Sequence, residues 1–287
     1  MVFVLEGHMT SIRRHKIRSV IFLFALLVLC SCSSHEKRLK DRRAALYFGA
    51  GTQSLIDQKY TDALNSLLKA NEMDPKNPEI LNNLAMAYYF KGQTDLAINT
   101  LNETIKIDPK NSDAKINLAS IIYRQGEVEK AVSLYKEVLK DLTYEKQART
   151  YFNLAAIEIN HYKNKKRAEE YLNLAIKEDE NFCSAYTVLG KMYFERGQFK
   201  TALTNFRSAG MGICFNDPIP HYLSALTLIK LNRYDEARIK LSEINSRFTQ
   251  TVYGIKARSL MMEIQHNSSS SISKDLESPI NLNNIDL

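Results

Sequence analysis

The chain has 287 residues, 45% of them hydrophobic, which is enough to bury a core in one or two globular units. Its formal charge is +7, but residues 1–31 hold four basic residues and one acid, so about +4 is left for the remainder. That small excess, spread over a long body without a basic block, argues against a nucleic-acid-binding surface.

In chain order, the first feature is "SIRRHKIRS", with Arg13, Arg14, Lys16 and Arg18, followed by the apolar run Ser19–Leu29. A basic stretch before a short apolar one is the pattern of a secretory signal peptide. At ~1.5 Å rise per residue the run reaches only about half of a ~30 Å hydrocarbon core, which argues against a retained anchor. The uncompensated positive charge before it argues against a buried core helix. The run ends in "LLVLCSCSSHEKR". Cys32 is preceded by Leu29, Cys30 and Ser31, whereas Cys30 is preceded directly by Leu29, too large for the position next to a cleavage site. The stretch "LCSC" resembles a bacterial lipobox. That resemblance implies that residues 1–31 are a lipoprotein signal peptide and that Cys32 carries lipid, including palmitate, as the mature N-terminus. With Ser33 rather than aspartate next, the lipoprotein sorting pattern implies the periplasmic face of the outer membrane. No second ligand pair accompanies the two cysteines, so a metal or redox site is not indicated. Residues 32–43 read as a lipidated, charged tether, and residues 266–287, polar and rich in Ser and Asn, as a disordered tail.

Between these ends the sequence repeats. Ala63, Ala97 and Ala131 are 34 residues apart, as are Pro75 and Pro109, and the phase continues through Ala168, Ala202 and Ala237. A second column of small residues is Gly51, Ala85, Ala119, Ala155, Gly190 and Ala225, giving six units over residues 44–250. Each unit reads as two helices, A and B. Small residues allow the helices to approach closely, while large apolar ones such as Leu84, Tyr88 and Leu101 fill the space between turns. Gly92, Gly126 and Gly197 are suited to the turn between A and B, and "DPKN" ends one unit and begins the next. Unit 4 follows a two-residue insertion and has "HYKNKKR" in place of a glycine turn, and unit 6 has Asn232 there. Residues 251–265, containing "YGIKARSLMMEI", read as a helix that caps the last apolar face.

The 34-residue period with L-[AG]-x-x-Y, A-x-x-x-[FLY] and D-P resembles the tetratricopeptide repeat. The resemblance implies an all-α, superhelical solenoid of about six helix pairs with a C-terminal capping helix. In such a solenoid helix A lines a concave face, which here would present Phe48, Asn82, Met86, Tyr89, Phe90, Ile116, Tyr123, Phe152, Phe194 and Tyr222. This set suits a helix or an extended apolar segment of a protein partner. Several of them, Tyr123 and Phe194 especially, are equally suited to packing between neighbouring helices. The resemblance does not extend to the carboxylate-clamping members of the family: Phe48 and Thr52 occupy the first unit's clamp positions in place of their lysine and asparagine pattern, which argues against a receptor for chaperone tails.

Catalytic patterns are missing: the sequence contains no HExxH, GxSxG, phosphate-binding glycine loop or EF-hand loop. A non-enzyme without cofactor, metal or small-molecule substrate is expected. Cys183 opens helix A of unit 5 and Cys214 follows its helix B, so the two lie at adjoining ends of a hairpin. They are either a disulfide or two buried thiols.

A lipobox followed by six tetratricopeptide units, over this length, resembles the pilotins of type IV pilus systems. The resemblance implies a non-catalytic lipoprotein that binds secretin subunits and promotes their outer-membrane localisation and multimerisation. The alternative is a periplasmic scaffold for another envelope assembly.

Overall fold

The computed structural model describes residues 36–266. The expected signal peptide, Cys32 and the tail beyond His266 lie outside the described residues. Among the described residues all regular structure is helical. Six hairpins follow one another: α1 (36–56) with α2 (Tyr60–Met73), α3 (Pro78–Phe90) with α4 (Thr94–Ile107), and α5 (Ser112–Arg124) with α6 (Val128–Val138). Then come α7 (Gln147–Asn160) with α8 (Lys165–Glu178), α9 (Cys183–Glu195) with α10 (Phe199–Ala209), and α11 (Pro218–Lys230) with α12 (Tyr234–Arg247), and α13 (Val252–His266) closes the series. One boundary differs from expectation. Residues 36–43 are not tether but the first turns of α1, because "EKRLKDRRAAL" consists almost wholly of good helix formers and no Gly or Pro interrupts it before Gly49.

The described residues divide into two compact units, 36–118 and 119–266. In the first, Ala63, Leu67, Leu84 and Ala87 form the core, with Phe48, Leu55, Leu64 and Tyr88 packed around them. In the second, one cluster joins Ala155, Leu172, Ala185 and Leu189, and another joins Phe206, Leu226, Leu241 and Leu260.

Both small-residue columns are sealed inside their hairpins: every alanine in them is fully buried, and so are Gly51 and Gly190. The structure adds a third column. Leu67, Leu101, Tyr135, Leu172, Phe206 and Leu241 are all fully buried, each on helix B, 16 or 17 residues beyond a small residue of helix A. A Cβ on Gly190 would sit 2.5 Å from Phe206 Cε1, and one on Gly51 would sit 2.6 Å from Leu67 Cγ. Tyr135 faces the Ala119 level, and its hydroxyl lies 2.7 Å from Ser120 Oγ and accepts from Asn153 Nδ2 at 3.1 Å. Burial pushes this phenol's pKa up to about 12.

The turn between A and B has the same left-handed residue in every hairpin: Gln58, Gly92, Gly126, Lys163, Gly197 and Asn232, with φ between 55° and 90°. In five hairpins the residue after it donates its N–H to a helix-A carbonyl five residues back, as Gln93 does to Tyr88 and Arg233 to Leu228. In unit 4 the equivalent bond, Asn164 to Glu158, spans six residues. The turn there is one residue longer and places a lysine where φ is positive. Between units, Asn77 and Asn111 of the two "DPKN" stretches accept from the N–H groups of Ile80 and Ala114. The asparagines therefore cap the following helices, and the prolines sit in the preceding turn.

These contacts set two expectations for chemical denaturation. Gly190→Ala overpacks Phe206 and should lower stability by about 1–3 kcal/mol. Lys163→Gly relieves a strained backbone and should raise it by about 0.5–1 kcal/mol after the entropy cost of glycine. A wild-type midpoint for Gly190→Ala would contradict the packing described.

Candidate protein-binding surface

In residues 36–118 the helix-A residues Phe48, Asn82, Met86 and Tyr89 are half-exposed. A line of amides fixes this surface. Asn117 Nδ2 donates to Asn82 Oδ1 at 2.9 Å, Asn82 Nδ2 to Asn83 Oδ1 at 3.2 Å, and Asn83 Nδ2 to Thr52 Oγ1 at 2.9 Å, linking α5, α3 and α1. Asn82 thus holds helices in register as well as reaching the surface. Phe90, 45% exposed, lies elsewhere: its ring stacks on Tyr60 of α2 at 4.6 Å and borders a shallow cleft of about 470 Å³ with Gln58, Lys59 and Lys91. It belongs to the edge of the hairpin turns. Tyr89 meets it edge-on at 5.5 Å.

Ile116 is a correction. It is 0% exposed, because α5 is buried almost all round from Ser112 to Ile122, so it is a core residue and cannot receive a partner. In residues 119–266 the aromatic candidates are half-buried and engaged. Tyr123 is hydrogen-bonded to Asn160, and burial raises its pKa. Phe152 packs on Phe182 at 5.5 Å, Phe194 on Phe199 at 5.1 Å and Tyr222 on Tyr253 at 5.5 Å. These rings chiefly join neighbouring helices.

A surface that the repeat pattern did not disclose lies after α10. Cys183 and Cys214 are joined as a disulfide with a Cα–Cα distance of 6.3 Å. The loop it ties down, "MGICF", exposes Met211 by 67%, Ile213 by 82% and Phe215 by 51%. The loop overhangs a cleft of about 370 Å³ lined in part by Arg207, His221, Ser224 and Lys240. Two further contacts hold it. His221 Nε2 lies 2.8 Å from the Phe215 carbonyl oxygen, and Arg247 Nη2 donates to the same oxygen at 2.7 Å with its guanidinium 3.7 Å above the Phe215 ring. Burial lowers the His221 pKa, so at neutral pH the ring is uncharged and Nε2–H is its donor. Three apolar residues in a row of five, ending beside a cysteine and outside any helix period, were the sequence signal for this lip.

Among the described residues no group of three or more His, Cys, Asp or Glu is placed to hold a metal.

Family comparisons agree with this geometry. Tetratricopeptide repeat profiles match residues 54–108 and 82–146, and a profile for anaphase-promoting complex, cyclosome, subunit 3 matches residues 158–244. The described residues form an all-α solenoid of the tetratricopeptide-repeat kind, a class whose members generally bind other proteins. Among solved structures it is similar to Pseudomonas aeruginosa PilF, at 18% identity and a TM-score of 0.60 over 77% of this chain and 98% of that one. It is likewise similar to PilW, a widely conserved type IV pilus biogenesis factor, at 17% identity and 0.60 over 75% and 98%. The Cut9–Hcn1 hetero-tetramer of the APC/C matches at 16% identity and 0.60 over 77% of this chain but 42% of that one. No curated protein sequence matches the chain.

The disulfide closes a loop with a sequence separation of 31. Loop-closure entropy for a ring of that size corresponds to about 3–4 kcal/mol. Replacing both cysteines by serine should lower unfolding stability by an amount of that order and abolish the difference between reduced and oxidised protein. If reduction leaves the wild-type midpoint unchanged, the pair is not bonded in solution.

Proposed function

We propose that this chain is a lipid-anchored, non-catalytic protein of the outer membrane that binds secretin subunits of a type IV pilus system and promotes their insertion and multimerisation. The observation that carries the reading is the order of its parts: a lipobox-like "LCSC" precedes six helix hairpins whose fold is shared over 98% of both PilF and PilW. A secretin subunit brings apolar, membrane-inserting segments across the periplasm. Holding such a segment on a tethered surface shields it and raises its concentration where insertion occurs. The half-exposed Phe48, Met86 and Tyr89 offer apolar anchors beside the amide line, so an extended segment would gain both burial and register. A protein working this way acts stoichiometrically.

A general envelope scaffold is the second reading. The likeness to Cut9–Hcn1, at the same TM-score, favours it, because hairpins of this kind also appear in an unrelated assembly.

Two measurements test the proposal. Cys32→Ser should abolish incorporation of labelled palmitate while Cys30→Ser leaves it intact, and palmitate on the Cys32→Ser protein would place the anchor elsewhere. Deletion of the gene should deplete heat-resistant secretin multimer from outer membranes, and Tyr89→Ala should weaken subunit binding by about 1–3 kcal/mol with little loss of folding. Undiminished multimer in the deletion strain would reject the secretin role and favour the scaffold.

A further inference from the structure

The first half of α1 has two differently used sides. From Ala44 onward one side is built into the protein. Ala44 is buried, Gly51 lies against Leu67, Phe48 and Leu55 join the core of the first unit, and Lys69 sits 5.4 Å above the Tyr47 ring. The opposite side carries Arg38, Leu39, Arg42, Arg43 and Leu46, which recur at helical spacing and face solvent. Leu39 is 44% and Leu46 68% exposed, and a Cβ added to the next outward residue, Gly49, would meet nothing within 4 Å.

Charge follows the same division. Residues 36–43 hold five basic residues and two acids. Asp41 projects from the side away from the two leucines, and Glu36 sits at the flank of the first turn. Arg38, Arg42 and Arg43 have no ion-pair partner among the described residues. An ordinary solvated face would carry polar residues where the two leucines stand. Leucines flanked by arginines, with acids set aside, are instead the pattern of a helix lying in a membrane interface.

We propose that the outward face of α1 docks on anionic phospholipid headgroups, with the leucines dipping into the interface and the arginines on phosphate. This rests on the reading of Cys32 as the lipid carrier. Only four residue steps separate Cys32 from residue 36, so the helix starts at most ~14 Å from the acylated residue. The Debye length at physiological ionic strength is about 8 Å, so a fully extended tether takes the basic turns out of most of the surface potential and a folded-back one brings them into it, which makes docking of the face a distinct step from tethering. A lipid anchor and a basic, apolar helix face then act as two signals on one surface, fixing how the first hairpin is presented and not merely where the chain is tethered. No described helix is long and apolar enough to cross a membrane, and this docking requires none.

The test uses the mature, full-length protein with Leu46→Cys carrying an environment-sensitive NBD group, mixed with phosphatidylcholine vesicles with or without phosphatidylglycerol. Flotation with both vesicle types reports the anchor. NBD emission should shift to the blue and become quenchable by spin-labelled lipid only when phosphatidylglycerol is present. The shift should reverse in high salt and disappear in Arg38→Ala/Arg42→Ala/Arg43→Ala protein of unchanged melting temperature. Flotation with both vesicle types without any shift overturns the docking face and leaves the anchor standing. Flotation with phosphatidylglycerol vesicles alone, with the shift, removes the anchor reading and supports the face. A shift that appears only when envelope proteins are added assigns the face to a protein and overturns the proposal.

Discussion

The structure depends on one repeated contact, a small residue of helix A against a large residue of helix B. Where the B-side residue is Phe206 the A-side residue is Gly190, and where it is Leu67 the A-side residue is Gly51; Leu101 and Leu241 share their hairpins with Ala85 and Ala225, all four fully buried. The clearance is so narrow that a single methyl group at either glycine would lie inside contact distance. Tyr135 shows what happens when the large residue is polar at its tip. The phenol needs partners, and Ser120 and Asn153 supply them from the helix-A side, so one buried hydroxyl fixes two helices.

Because these columns take up the inward positions, the remaining helix-A positions are free to vary, and their use differs along the chain. At positions equivalent to Met86 and Tyr89, unit 4 has Ala156 and Ile159, both buried, whereas unit 2 keeps its side chains half-exposed. An aromatic at such a position is therefore not by itself a binding residue. Phe194 and Phe152 spend their faces on Phe199 and Phe182, rings of neighbouring segments, whereas Tyr89 meets only the edge of the adjacent Phe90 among the aromatic contacts of the described residues.

The period of 34, the two small-residue columns and the hairpin order were legible in the sequence because each has a spacing that no other fold class requires. Gly92, Gly126 and Gly197 were legible as turns for the same reason, yet the turn itself is more general than glycine. Gln58 and Lys163 adopt positive φ because the flanking helices impose it, a tertiary demand invisible to residue preference. Ile116 was misplaced because a one-face reading of helix A assumes that the face is open, and along α5 it is not. The Met211–Phe215 lip was hidden because it lies in the connection between α10 and α11. The repeat supplies no expectation there, and the exposure of its apolar residues depends on contacts from Cys183, His221 and Arg247, all distant in sequence.

The disulfide bears on the proposed setting as well as on the loop. It joins the two ends of the α9–α10 hairpin, and bonds of this kind persist in oxidising surroundings. Reduced, the two thiols would leave the lip held by Phe215's carbonyl contacts to His221 and Arg247, and protonation of His221 at low pH would keep its Nε2–H donor but set a charge in a desolvated site near Lys240 and Arg247. Burial lowers the His221 pKa, so the folded form binds fewer protons than the unfolded chain as pH falls through the ordinary histidine range, and stability there declines. The loop thus has its firmest hold in an oxidising, near-neutral compartment. The basic and apolar N-terminal segment reads as an export signal to such a compartment, and the two features share no residue and no physical cause. The proposal of an exported protein thus draws support from a bond within the fold as well as from a pattern at the start of the chain, and establishing it falls to the palmitate and reduction experiments.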